Sequence, residues 1–230
     1  MKVILGDGLL GTELAKRSNW NIVSRKKNGI EFTQVSTYKK LIEKYDTIIN
    51  CIGYVETYNT DRKNHWNINY EGVADLVDLC NVYNKKLVHI STDFIYANSK
   101  SYTSENDIPV HGENWYSYTK LLADGYIQLR SKEFLIIRGS FKKYPFPYDR
   151  AWKNQAGNFD YVPVFADLAY DLIEGSAVGI YNVGTEEKTM YNLARQSNFN
   201  IEKIENFPTT PTDVTMDLTK LNKFLRPWKK

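Results

Sequence analysis

The apolar run Val3-Ile4-Leu5 breaks into Gly6-Asp7-Gly8-Leu9-Leu10-Gly11, and a helical stretch from Thr12 to Arg17 follows. A buried strand that turns through three glycines at this spacing into a helix constrains the fold strongly, because it reads as the entry to a parallel α/β layer. Gly6 permits the tight turn, Gly8 lets backbone approach a pyrophosphate, and Gly11 lets the helix pack closely on the strand. Leu9 and Leu10 complete the same grip, where unpaired N–H groups of a helix N-terminus face phosphate. With 13 glycines in 230 residues, chance would supply about 0.04 such triplets, so an idle glycine-rich turn is the weaker explanation.

The alternation continues along the chain. Trp20 to Ser24 and Asp46 to Ile52 read as strands two and three, and Ile68, Val73, Leu76, Val77 and Leu79-Cys80 fall at helical spacing. Lys86 to Ser91 reads as strand four, about Tyr116 to Arg130 as a helix, and Phe134 to Arg138 as strand five. The fold class is therefore α/β, a Rossmann-like doubly wound parallel sheet over 1–138 with ligands beyond the strand C-termini. From Gly139 to Asn158 the sequence becomes irregular, aromatic and basic, marking a boundary. A helix near Ala166 to Glu174, a strand from Gly179 to Val183 and a proline-rich approach to the terminus follow, making 139–230 a smaller region with some segments returning to the core.

At 42% hydrophobic residues the chain can bury a full core, while a net charge of only +3 from scattered basic residues excludes a dedicated nucleic-acid binder. No stretch has the roughly 20 apolar residues needed to span a bilayer, and no signal peptide precedes the first strand, so a cytoplasmic protein without membrane partners is expected. Cys51 and Cys80 lie in apolar runs and read as reduced thiols. Neither they nor the isolated His65, His89 and His111 have ligand-spaced neighbours, so no bound metal is expected.

The chemistry centres on Tyr116-Ser117-Tyr118-Thr119-Lys120, where Tyr116 and Lys120 lie four apart and project from one helix face. Spacing alone does not single them out, because Tyr96 and Lys100 repeat it. That second pair reads as loop, since the intervening Asn98 and Ser99 disfavour a helix. Thr92, at the end of strand four, would by itself be an ordinary strand-end hydroxyl, and Asn69 an ordinary structural amide.

Taken together, Gly6 to Gly11, Ile49 to Tyr54, Ser91-Thr92-Asp93-Phe94-Ile95-Tyr96 and Tyr116 to Lys120 resemble the extended, nucleotide-sugar branch of the short-chain dehydrogenase/reductase superfamily. Within that branch the sequence is most similar to the dTDP-4-dehydrorhamnose reductases, and looser echoes continue through Arg138 to Phe141, Gln155 to Gly157 and Met216 to Leu221. The resemblance implies NADPH-dependent reduction of a nucleotide-linked 4-keto-6-deoxysugar in deoxysugar and polysaccharide biosynthesis. Tyr116 would donate a proton to the ketone oxygen, Thr92 would hydrogen-bond that oxygen, and Lys120 would hold the nicotinamide ribose and favour the ionised tyrosine. Cys51, Ile52 and Gly53 would sit beside the dinucleotide. A homodimer is compatible with the resemblance.

Cofactor choice turns on the end of strand two, where an acidic residue would bind the ribose hydroxyl of NAD(H). Ser24, Arg25, Lys26 and Lys27 stand there instead, which favours NADP(H), although NAD(H) is not excluded by the motif. The segment between strand five and Asp167 is shorter than in most members of the family; within it Lys142, Arg150, Trp152 and Lys153 are the expected contacts to a nucleotide sugar, and a solvated loop is the alternative. A nucleotide-sugar epimerase would use the same Thr92, Tyr116 and Lys120, but the acidic residue expected to retain its NAD is missing. A 4,6-dehydratase would need a second carboxylate where Phe94 stands. A regulatory subunit that binds NADP without catalysis is the alternative of another class, and it has no chemical need for both Tyr116 and Lys120.

Overall fold

In the computed structural model, which describes residues 1–97, 99–107, 109, 114–207 and 209–226, strands and helices alternate from the start of the chain. β1 (Lys2–Leu5) leads through the glycine run into α1 (Leu9–Arg17), β2 (Asn21–Val23), the one-turn α2 (Arg25–Asn28) and α3 (Lys39–Ile42). Then come β3 (Thr47–Asn50), α4 (Arg62–Trp66), a π-helical turn (Asn67–Glu71) running into α5 (Gly72–Val82), and β4 (Lys86–Ile90). A 3-10 turn (Asp93–Tyr96), α6 (Trp115–Arg130) and β5 (Phe134–Arg138) follow. The remainder holds β6 (Phe141–Lys142), β7 (Arg150–Trp152), β8 (Ala156–Gly157), β9 (Asp160–Tyr161), α7 (Val162–Glu174) and β10 (Gly179–Asn182). It ends with β11 (Lys188–Thr189), α8 (Met190–Arg195), β12 (Glu202–Ile204), β13 (Asp213–Val214) and α9 (Thr219–Leu225).

The main sheet has six parallel strands in the order β10-β5-β4-β3-β1-β2. β1 sends the chain outward to β2 and receives it back at β3, so the strand order reverses between β1 and β3 and a crevice opens beyond their C-terminal ends. The two faces of the sheet follow from the pleat. Ile4 of β1 and Leu135 and Ile137 of β5 bury into the layer shared with α1 and α7, while Val3, Leu5 and Ile136 point into the layer shared with α5 and α6. A third, smaller core of Phe146, Ala151, Phe159, Tyr161, Met190, Leu193 and Val214 lies under the short strands of the second half.

Several local expectations are revised. α1 begins at Leu9, before Thr12, because Gly8 already occupies the extended N-cap position. The basic segment after β2 is a one-turn helix: Ser24 caps it by accepting the Lys27 N–H at 3.1 Å, and Gly29 ends it at φ 67°. The irregular stretch from Gly139 to Asn158 contains β6, β7 and β8, each paired with a strand distant in sequence. α7 starts at Val162, earlier than Ala166, with Pro163 in its first turn where a missing N–H costs nothing.

Tyr96 departs furthest from its expected place in a loop. It ends the 3-10 turn fully buried, accepts from Arg138 Nη1 at 2.7 Å and donates to Asn182 Oδ1 at 2.8 Å. Arg138 Nε donates to Asp124 Oδ2 at 2.9 Å, and Asn182 Nδ2 donates to the Thr103 carbonyl at 2.9 Å. This buried polar chain ties α6, β5, the 3-10 turn and β10 to one another. Asn98, on which the loop expectation partly rested, lies outside the described residues.

Candidate functional site

A crevice of about 430 Å³ runs from the start of α1 across the ends of β1, β3 and β4 to the aromatic segment around Tyr148 and Trp152. Its first wall is the glycine run, whose three glycines have different surroundings. Gly6 adopts φ +101° and has Ile52 and Cys51 against it, so a side chain there would meet the loop after β3. A Cβ on Gly11 would stand 2.0 Å from the carbonyl oxygen of Gly6, so the helix could not approach the turn. At Gly8 nothing lies within 4 Å of the Cβ position, and the space opens onto the crevice. No side chain caps α1, so its first N–H groups are free to meet phosphate oxygens. Ser91 adds a buried hydroxyl without a protein partner at the crevice wall. These features fit a dinucleotide pyrophosphate.

Leu9, Leu10, Cys51, Ile52 and Gly53 line the crevice, and Gly6 and Gly11 shape the turn behind it. The loop after β3 is held by Asn69, whose Oδ1 accepts the Tyr54 N–H at 2.8 Å and whose Nδ2 donates to the Tyr54 carbonyl at 3.0 Å. Asn69 is buried in the π-helical turn, so its contacts are those of a structural clamp. Ser24 spends its hydroxyl on capping α2, whereas Arg25 and Lys26 are exposed outside the crevice lining. Arg25 Nη1 stands 3.6 Å from Glu31.

Thr92, Tyr116 and Lys120 come together on the crevice floor. Thr92 follows β4 and caps the 3-10 turn by accepting the Phe94 N–H at 3.2 Å, while Tyr116 and Lys120 arrive on successive turns of α6. Asn114 starts that helix by accepting the Ser117 N–H at 2.8 Å. Burial pushes the Tyr116 phenol up to about 12, with the neighbouring Thr92 hydroxyl acting the other way. The tyrosine therefore remains protonated through the neutral range.

Lys120 also meets partners from β4. Its ammonium group faces His89 Nε2 at 3.0 Å and the Ile90 carbonyl at 2.6 Å, and burial brings its pKa down to about 8. Its nitrogen is thus committed to the His89 ring and the β4 backbone.

The four expected substrate contacts separate. Lys142 and Trp152 line the crevice, with Lys143, Tyr148 and Tyr58 beside them. Arg150 lines an adjoining depression and pairs with Glu202 across β7 and β12 at 2.9 Å. Lys153 lines neither space, because its ammonium is turned to Glu205. Sequence reading also passed over Asp93, a fully buried carboxyl that accepts from Ser140 at 2.7 Å and is held above the usual carboxylate range by burial. Its place beside Thr92 was the available signal. Phe94, Ser140, Gln155 and Met190 complete the wall from four separate segments.

Among the described residues no cluster of His, Cys, Asp and Glu could hold a metal ion, and no helix is long and apolar enough to cross a membrane. His111 lies outside them. Cys51 and Cys80 are free thiols.

Comparison with known proteins gives a family match and strong structural likenesses. The profile of the RmlD substrate binding domain matches residues 1–148. A hypothetical dTDP-4-dehydrorhamnose reductase from Sulfolobus tokodaii superposes with a TM-score of 0.81 at 21% identity, covering 98% of this chain and 95% of that one. The dTDP-4-dehydrorhamnose reductase of Bacillus anthracis, solved in complex with NADP, gives 0.83 at 20% identity over 96% and 92%. The Bordetella bronchiseptica enzyme WbmH, in complex with NAD+, gives 0.81 at 14% identity over 96% and 90%. No curated protein matches.

Proposed function

The chain belongs to the RmlD substrate binding domain family, and from that premise we propose that it reduces a nucleotide-linked 4-keto-6-deoxysugar with NADPH. The observation that carries this reading is the meeting of Thr92, Tyr116 and Lys120 on the floor of a crevice whose other end is an uncapped helix N-terminus behind Gly8. When bound, the nicotinamide supplies hydride to the ketone carbon. Tyr116, protonated through the neutral range, delivers its proton to the ketone oxygen. Thr92 orients the same oxygen, and Lys120 holds the nicotinamide ribose. Lys142 meets the diphosphate as a charge, while Trp152 with Tyr58 and Tyr148 supplies flat surfaces for base or sugar.

The deciding experiment mixes the protein with NADPH and a panel of nucleotide-linked 4-keto-6-deoxysugars and follows the nicotinamide absorbance. One of them should consume NADPH in proportion to a 4-hydroxy product. Tight NADPH binding with no oxidation by any member of the panel would leave a regulatory dinucleotide binder instead.

Arg25 and Lys26, at the end of β2, support NADPH over NADH. Arg25→Ala is expected to raise the NADPH KM about tenfold, the worth of one charge-assisted hydrogen bond. NADH kinetics should stay unchanged. Equal loss with both cofactors would place Arg25 away from the 2′-phosphate.

A further inference from the structure

The hydrogen bonds behind Lys120 begin at a donor whose direction is fixed. The backbone N–H of Ile52 donates to Asn50 Oδ1 at 3.0 Å, so the amide turns its Nδ2–H toward His89 Nδ1, 3.3 Å away. A neutral histidine that accepts at Nδ1 carries its proton at Nε2. Nε2 in turn lies 3.0 Å from Lys120 Nζ, which also donates to the Ile90 carbonyl at 2.6 Å. An Nε2–H aimed at an ammonium sets donor against donor. A neutral amine removes the conflict, because its lone pair accepts from Nε2–H while its hydrogens still reach Ile90.

We propose that Asn50 and His89 are positioning residues that favour the hydrogen-bond-accepting neutral amine of Lys120 over its ammonium in the cofactor-free protein, and that this bias ends when Lys120 leaves His89. Both residues are fully buried, so no water substitutes for either partner at their shared contact. The same burial keeps the imidazole well below its usual pKa and therefore uncharged. The other groups that act on Lys120 are Asp124, one turn later on α6, and the Cys51 thiol after β3. Asp124 favours the ammonium, but it shares its carboxylate with Arg138, and the Cys51 thiol is pushed up to about 12 by burial and stays neutral. Tyr116, one turn earlier, is protonated as well. The catalytic meaning of this arrangement rests on the reductase reading, whereas the ionisation itself does not.

The test uses the full chain without cofactor, labelled with ¹⁵N-histidine and ¹³C-lysine. Long-range proton–nitrogen spectra should show His89 as the Nε2–H tautomer, with Nδ1 unprotonated, at a pH above the Lys120 midpoint. The Lys120 side chain should titrate near 8. In Asn50→Asp one carboxylate oxygen accepts from Ile52 and the other from His89 Nδ1–H, so the tautomer should switch to Nδ1–H and the Lys120 midpoint should rise by more than about one pH unit. The added charge alone would raise the midpoint without dictating the tautomer, which makes the tautomer the discriminating readout. An Nδ1–H tautomer in the unmodified protein, or a Lys120 midpoint at the ordinary lysine value, overturns the proposal. So does an Asn50→Asp protein that keeps Nε2–H. The spectra of the unmodified chain decide the matter even where the variant does not fold, and a failed turnover assay would leave them unaffected.

Discussion

Tyr116→Phe should lower kcat for ketone reduction by about 10²–10⁴-fold, the usual worth of a positioned general acid, while NADPH affinity and thermal unfolding stay as they are. The substitution removes one hydroxyl and keeps the ring, whose neighbours Phe94 and His65 both lie with centroids 6.4 Å away in edge-on contact. Thr92 keeps the Phe94 N–H at 3.2 Å and Asp93 at 3.3 Å, so the end of β4 stays in place. Single-turnover measurements at saturating NADPH isolate the chemical step from product release. Full activity in the variant would remove Tyr116 from the reaction.

Asp124→Ala should cost about 3–5 kcal/mol, the penalty for stranding a buried charge, and is expected to be the most destabilising change outside the glycine turn. Arg138 and Asp124 are 2% and 0% exposed, and the carboxylate meets the guanidinium through Oδ2 at 2.9 Å. Removing the acid leaves Arg138 with Tyr96 as its hydrogen-bond partner, and a neutral phenol does not offset a full charge. The double variant Asp124→Ala/Arg138→Met should recover most of the loss, since the charge then disappears with its partner. Urea unfolding midpoints at constant slope give the comparison. A single variant as stable as the original chain would show that the pair is not the buried anchor described here.

The alternation of strands and helices was legible because β1, β3, β4 and β5 carry runs of buried aliphatic residues that need no distant partner to be recognised. The glycine turn was legible for the same local reason. Tyr116 and Lys120 could be placed on one helix face from spacing, yet the side-chain direction of Lys120 depends on His89, 31 residues earlier, and no local pattern encodes that meeting. Tyr96 was misplaced because its neighbours speak for a loop while Arg138 and Asn182, from β5 and β10, decide its burial. Arg150 and Lys153 have carboxylate partners, Glu202 and Glu205, about fifty residues away, so a basic segment that read as ligand contacts is partly neutralised by its own fold. Pairings across such separations are set by tertiary register.

The position of β10 at the edge of the main sheet has a consequence for how the chain emerges during synthesis. β5 is made forty residues before its parallel partner, and until Gly179–Asn182 appears its Leu135–Arg138 edge has backbone groups ready to pair with any passing strand. α7, which covers α1 on one face of that sheet, is made in the same interval. The nucleotide-gripping half is thus sealed only by residues from the far half of the chain, and a nascent or truncated product ending before β10 should be the aggregation-prone species.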